Sequence, residues 1–259
     1  MRVVTTEPSS LTSALQSRIA KEIAAVGGWL PFDRFMELAL YAPGLGYYAN
    51  ETAKFGAMPE SGSDFVTAPE ISPIFGQLVA SQLREALQKT NTREIWEFGA
   101  GTGALALQIL DELAAQGALP QRYTIVDLSG TLRARQKLAL AKYEHLVRWV
   151  DMLPDEMEGV IIGNEVLDAM PVQLLQRTKG QWYERGVVMK GEEFAWEDRT
   201  TDLRAPVDIG GPHDFLTEIH RQGEAFIHTL GERLTRGAAF FIDYGFGESE
   251  YYHEQRHMG

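Results

Sequence analysis

The sequence predicts an α/β protein whose parallel sheet is wound on both faces, and three observations carry that prediction. From residue 94 to residue 150, short β-branched and aromatic runs alternate with helical stretches, the pattern of βαβ units. The first of these runs breaks into a glycine turn, I-W-E-F-G-A-G-T-G at 95–103, and helix formers follow directly. A later apolar run, A-A-F-F-I-D-Y-G at 238–245, supplies another strand that ends in a glycine turn. In such a sheet ligands bind beyond the carboxyl ends of the strands.

Each element has its own signal. Leu11, Leu15, Ile19 and Ile23 recur every four residues behind Ser10, which reads as an amphipathic helix with an N-cap. A second helix is expected over Pro31 to Tyr41. Residues 42–70 carry Gly, Pro and Ser without periodicity and read as an irregular loop. Ser72-Pro73 then supplies a cap with proline at the first helical position, and Ile74, Leu78, Leu83 and Leu87 are expected on one buried face. Strands follow at Glu94 to Phe98, Tyr123 to Val126, Val147 to Val150 and Val160 to Ile162, with helices at Ala104 to Ala115 and Leu132 to Tyr143. Residues 172–235 form an insertion containing a hairpin that turns at Lys190-Gly191. A helix with Phe226, Leu230 and Leu234 on one side leads from it into the last strand. The expected organisation is thus a helical region at 1–93 whose 42–70 loop caps the ligand, a core at 94–245 and a tail at 246–259.

Composition excludes several chemistries. A chain of 259 residues, 44% hydrophobic, can bury a full core, and without cysteine it has neither disulfides nor thiolate metal sites. A formal net charge of -12 argues against a nucleic-acid partner, whose phosphates need clustered Lys and Arg. No apolar run reaches membrane-spanning length, so no membrane insertion is expected. The first ten residues carry neither a secretory nor an organelle-import pattern, from which a cytoplasmic location is expected and the Asn50-Glu51-Thr52 sequon reads as inert.

Two ligands compete for the glycine turn. Gly99, Gly101 and Ala104 satisfy a dinucleotide fingerprint, with Asp127 ending the next strand where a ribose hydroxyl is held. Two details favour S-adenosylmethionine instead. Glu97 places a carboxylate just before the turn, suited to a ligand that carries an ammonium group. Gly103 makes the loop G-x-G-x-G, so the backbone closes on a compact ligand without a pyrophosphate. Ala100 lies within that turn. Asp127 and Leu128 would then meet the ribose side, and Asp151 and Met152, after V-R-W-V, the adenine.

The segments S-G-S-D-F-V-T-A-P-E-I-S-P-I-F-G at 61–76, E-F-G-A-G-T-G at 97–103, N-E-V-L-D-A-M-P-V at 164–172 and F-I-D-Y-G-F-G at 241–247 closely resemble the MidA family. F-M-E-L-A-L-Y-A-P-G-L-G-Y-Y at 35–48 extends the likeness over nearly the whole chain. The resemblance implies a Rossmann-like class I methyltransferase that uses S-adenosylmethionine. It further implies methylation of a protein arginine, since the mitochondrial members assist assembly of respiratory complex I and methylate one of its subunits. Many relatives have proline where this chain has G-A-G-T-G. Relatives also continue past Gly259, so the final strands of the sheet and part of the substrate cleft are expected beyond it.

Arginine methylation asks for carboxylates beside the sulfonium, because a guanidinium stays protonated and is bound as a planar fork of donors. Asn164 and Glu165 follow the run G-V-I-I-G at the C-terminal edge of the sheet, with Asp168 expected one helical turn later. Glu165 is the first choice for the guanidinium, and Asn164 for orienting substrate or cofactor. The same three residues also suit the cap and solvated first turn of a helix. Glu70, with Asp64 and Thr67 in its loop, either closes over the cofactor or lies near the next helix's positive end. Asp243 and Tyr244 face the same cleft if the winding is regular. His253-Glu254-Gln255-Arg256-His257 matches the H-E-x-x-H zinc pattern but lacks an amphipathic helix and a third ligand, so no metal is expected. A nicotinamide oxidoreductase and a catalytically idle assembly factor are the alternatives to a methyltransferase.

Overall fold

The computed structural model describes residues 8–49, 67–127, 130–211, 213–253 and 255. Asp64, Leu128, Glu254, His257 and the sequon therefore lie outside the described residues. In chain order the elements are α1 (Pro8–Ala25), β1 (Leu30–Pro31), α2 (Phe32–Tyr41), α3 (Ala68–Ile71), α4 (Pro73–Thr90), β2 (Glu94–Phe98), α5 (Ala104–Ala115), β3 (Arg122–Val126), α6 (Gly130–Ala139), β4 (Val147–Val150), β5 (Met157–Asn164), β6 (Gln173–Thr178), β7 (Gln181–Lys190), β8 (Glu193–Thr200), β9 (Phe215–Ile219), α7 (Arg221–Arg233), β10 (Leu234–Ile242) and α8 (Glu248–Tyr251). They divide into two units, one of residues 1–50, 168–226 and 244–259, the other of residues 51–167 and 227–243.

The second unit is the doubly wound sheet. Its strands run in the order β10-β5-β2-β3-β4, every neighbour parallel. The order reverses at β2, whose two neighbours are β3 and β5, and this reversal opens a crevice at the strands' carboxyl ends. β5 extends past the expected Val160 to Ile162 on both sides, and from Gly159 to Gly163 it is buried throughout, as a central parallel strand covered on both faces requires. Ile95, Ile125, Val160 and Ile162 from the sheet close on Leu105, Ile109 and Leu113 of α5 and on Leu83 and Leu87 of α4.

Ser72 caps α4 as expected, its side chain accepting from the Ile74 amide, with Pro73 at N1. The expected buried face is half right. Leu83 and Leu87 are buried, but Ile74 and Leu78 are 61% and 65% exposed. Leu83 follows Leu78 by five positions rather than four, and at about 100° per residue that carries the second pair to nearly the opposite side of the helix. Small residues fill the true inward face, with Gly76 and Ala80 buried beside Val79. The end of the expected irregular loop also differs, since residues 68–71 form the short helix α3. The helix expected to reach Tyr143 stops at Ala139 and passes into a 3-10 turn at 141–143.

The first unit holds a second, antiparallel sheet, of which the sequence pattern announced only the β7–β8 hairpin. β6 pairs with β9 and with residues 181–185 of β7, and β1 takes over the same edge of β7 at Gly186 and Val187. β8 pairs along the other edge, Lys190 opposite Glu193, so the hairpin turns at Gly191-Glu192. Ile19 and Ile23 of α1 and Leu38 of α2 pack with Leu30 and Val187. α1 begins at Pro8, two residues before the expected cap at Ser10, with proline again serving the first turn, where an amide is not needed.

Candidate active site

The glycine turn leaves β2 at Phe98 and enters α5 at Ala104. Gly99, Gly101 and Gly103 all have positive φ, at 64°, 53° and 89°, so each bears a conformation that side chains resist. A Cβ on Gly99 would lie 2.9 Å from Val166 Cγ2, and one on Gly103 3.3 Å from the backbone of Gln136. At Gly101 it would meet nothing within 4 Å, so the turn is packed from beneath and open above. Thr102 fixes the turn from both ends. Its hydroxyl accepts from the Ala104 amide at 3.3 Å and donates to Glu70 Oε1 at 2.5 Å. Glu70 stands on α3, whose N-cap is Thr67, and Gln108 Nε2 anchors that helix through the Pro69 carbonyl at 2.7 Å. The structure thus brings Glu70 to the glycine turn.

Glu97, on β2 and 1% exposed, accepts a hydrogen bond from Tyr123 Oη at 2.9 Å. Burial pushes its carboxyl up to about 8, with Asp127 adding to the rise and the Tyr123 hydrogen bond opposing it. The Tyr123 phenol is itself raised well above its ordinary value by burial and by Glu97. Among the described residues Glu97 forms no ion pair, and its carboxyl has one hydrogen-bond partner, Tyr123.

Asp127 follows β3, and its Oδ2 accepts from Gln136 Nε2 at 2.7 Å. The same Nε2 donates to the Gly101 carbonyl at 3.0 Å, and Gln136 Oε1 accepts from Trp149 Nε1 at 2.8 Å. Arg133, one turn before Gln136 on α6, donates to the Asp127 carbonyl at 3.1 Å and forms an ion pair with Asp151 just past β4. The acids expected for ribose and adenine are therefore joined by one arginine. Met152 beside them is 83% exposed.

Asn164 ends β5 opposite Ile242 of β10. Glu165 then takes a left-handed backbone, φ 51°, its amide bonded to the Ile242 carbonyl at 2.9 Å. A non-glycine residue pays of order 1 kcal/mol for that conformation, a strain found most often at working sites. Val166 turns back onto Gly99, placing Asn164 and Glu165 beside the glycine turn. Asp243 Oδ2 accepts from the Leu167 amide at 3.0 Å, which makes Asp243 a brace for this segment. No helix follows β5, so the expectation of Asp168 one helical turn after Glu165 fails: the left-handed Glu165 cannot start a helix, and Pro171 ends the stretch. Asp168 belongs to the first unit, where it faces Tyr41, whose phenol is pushed up to about 12 by burial, Tyr48 and Asp168.

Gln136, Arg133, Tyr123 and Thr102 escaped the sequence reading. Gln136 and Arg133 sit in a polar helix, where nothing in the pattern separates a buried glutamine from a solvated one. Tyr123 reads as an ordinary strand aromatic. Among the described residues no group of His, Asp and Glu is arranged to hold a metal, and no helix is long and apolar enough to cross a membrane. An open hollow of about 780 Å³ lined by Trp182, Thr200, Asp202 and Arg204 lies in the first unit and contains none of the acids above.

Comparison with known proteins places this arrangement. A COG1565 superfamily member from Burkholderia thailandensis, solved bound to S-adenosyl-homocysteine, is 47% identical and superposes with a TM-score of 0.89, covering 99% of this chain and 69% of that one. Its ligand is a compact nucleoside rather than a dinucleotide, and the nicotinamide alternative is not favoured. Among curated relatives, the mitochondrial protein arginine methyltransferase NDUFAF7 of Danio rerio is 26% identical over 92% of this chain and 63% of its own length. The Drosophila melanogaster homolog is 28% identical over 93% and 64%. The chain thus spans a little under two thirds of these relatives. Their names place them in mitochondria, which overturns the expected cytoplasmic location, because the missing leader pattern in the first ten residues carries no address by itself. Residues 78–259 match the family model described as "Putative S-adenosyl-L-methionine-dependent methyltransferase". With that match over more than half its length, on a doubly wound sheet with a glycine turn between two strand-end acids, the chain belongs to this family of S-adenosylmethionine-dependent methyltransferases.

Proposed function

We propose that the chain is the cofactor-binding part of an S-adenosylmethionine-dependent protein arginine N-methyltransferase. The observation that carries this reading is the open, positive-φ glycine turn set between buried Glu97 and the ribose-side Asp127. These residues fit the cofactor. Glu97, whose carboxyl burial holds up at about 8, would ionise to receive the ammonium group. The amides of Ala100 and Gly101 would lie toward the methionine end, with the Gly103 amide spent on the Ala100 carbonyl at 2.8 Å to hold the turn; Asp127 would hold the ribose hydroxyls, and Asp151 beside exposed Met152 would meet the adenine amine. When bound, S-adenosylmethionine supplies a methyl group activated by its sulfonium.

The chain's part in transfer is mainly to hold the nucleophile in line. Glu165 and Asn164, fixed by the Ile242 carbonyl and the β5–β10 pairing, bind the guanidinium, and Glu165 draws its charge away from the attacking nitrogen. Glu70, tied to Thr102, closes the turn from α3. The names of the curated relatives support an arginine on a protein as the substrate, and the MidA resemblance supports a respiratory complex I type subunit.

Calorimetry with S-adenosyl-homocysteine against NADH tests the cofactor. A one-methyl mass shift on an arginine-bearing peptide, lost in Glu165→Ala while S-adenosyl-homocysteine still binds, tests the reaction. Binding without transfer to any peptide would instead support the idle assembly factor.

A further inference from the structure

Gln136 is fully buried on a helix otherwise rich in charge, and all three of its polar contacts are to the cofactor cradle or its support. Its amide orientation is not open to choice. The Trp149 indole nitrogen is only a donor, so the atom facing it must be the oxygen Oε1. The nitrogen Nε2 therefore faces the other way, toward two acceptors, the Gly101 carbonyl and Asp127 Oδ2. Its two protons match them one to one. The Gln136 backbone also lies 3.3 Å from where a Cβ on Gly103 would be, so this residue supports the glycine turn by shape as well as by hydrogen bond.

The two acceptors belong to opposite sides of the cradle. Gly101 sits in the turn after β2, and Asp127 at the end of β3. A carboxylate that must grip a diol needs its plane fixed. A charge-assisted bond of 2.7 Å from the buried Gln136 amide orients the Asp127 carboxylate. We infer that Gln136, locked by Trp149, is a positioning residue that sets Asp127 for the ribose hydroxyls and fixes its spacing from the glycine turn. The inference rests on the proposed reading of Asp127 as the ribose acid.

The test is calorimetric titration with S-adenosyl-homocysteine and with its 2′-deoxyribose analogue. The proteins are the unsubstituted chain, Gln136→Met, Trp149→Phe, Asp127→Ala and the double variant Gln136→Met/Asp127→Ala. The unsubstituted chain should prefer the ribose ligand by about 10-fold or more, the worth of a hydrogen bond to a charged group. Gln136→Met should weaken S-adenosyl-homocysteine by about 10-fold yet barely change the deoxy analogue, erasing the preference. Trp149→Phe frees the amide to turn and should lose about 3-fold of it. In the Asp127→Ala background, Gln136→Met should add less than about 2-fold. A folded Gln136→Met that keeps the ribose preference, or that weakens both ligands equally, overturns the inference. If Gln136→Met does not fold, a Trp149→Phe protein with undiminished preference overturns it as well. Failure of the unsubstituted chain to bind S-adenosyl-homocysteine at all would instead remove the cofactor reading on which the inference stands.

Discussion

Replacing Glu97 with glutamine should change how stability depends on pH. The carboxyl is buried, and its value in the folded chain is about 8 against an ordinary 4.5. Between those values the folded chain holds a proton that the unfolded chain has released, so stability falls as pH rises, by about 1.4 kcal/mol per pH unit. Stability from this group is complete below 4.5 and is lost on passing through 8. Over that span the loss approaches about 5 kcal/mol, an upper bound because water entry relieves part of it. Glu97→Gln keeps the shape and the bond from Tyr123 without the titration. Urea unfolding of both proteins from pH 5 to pH 9 should therefore show a gap that widens in favour of the variant toward alkaline pH. Ligand binding supplies a second readout, because an ammonium group forces Glu97 to ionise. At pH 7 S-adenosyl-homocysteine should release about one proton from the parent and none from the variant, seen as a buffer-dependent enthalpy. A gap constant across the pH range would refute the argument, since Glu97 would then be ionised in the fold at neutral pH.

Three further predictions follow from particular contacts. Gly99→Ala adds a Cβ at φ 64° and 2.9 Å from Val166, and should cost about 1–3 kcal/mol of stability in denaturant unfolding while weakening S-adenosyl-homocysteine at least as much. Glu165→Gly should relieve the left-handed strain at φ 51°, raising unfolding stability by up to about 1 kcal/mol while abolishing methyl transfer; lower stability would show that its side chain holds the fold. Arg177 on β6 is 8% exposed and bonds the carbonyls of Ile209, Gly211 and His213 at 2.6, 3.1 and 3.0 Å. Arg177→Ala should cost about 2–3 kcal/mol and speed hydrogen exchange at the amides of Ile209, Gly210, Gly211 and His213, and unchanged exchange there would exclude this clamp.

The parallel sheet and the glycine turn could be read from local pattern, because short β-branched and aromatic runs, helix caps and glycine spacing are each written within a few residues. Glu94 to Phe98 and Ala104 to Ala115 stand where their patterns put them. Glu97 and Asp127 were legible as candidate ligand acids for the same reason, and the structure places one just before the turn and the other at the end of β3. Features that depend on partners distant in the chain emerge only once those partners are packed together. β1 and β7 are paired across more than 150 residues, so neither alone announces the antiparallel sheet. The opposite faces of α4 were set by which neighbours arrived, with Gly76 and Ala80 turned inward and Ile74 and Leu78 left outside. Gln136 became a cradle residue only when β2, β3 and β4 brought Gly101, Asp127 and Trp149 around it. A buried amide is recognised by its three partners, and no stretch of sequence contains them together.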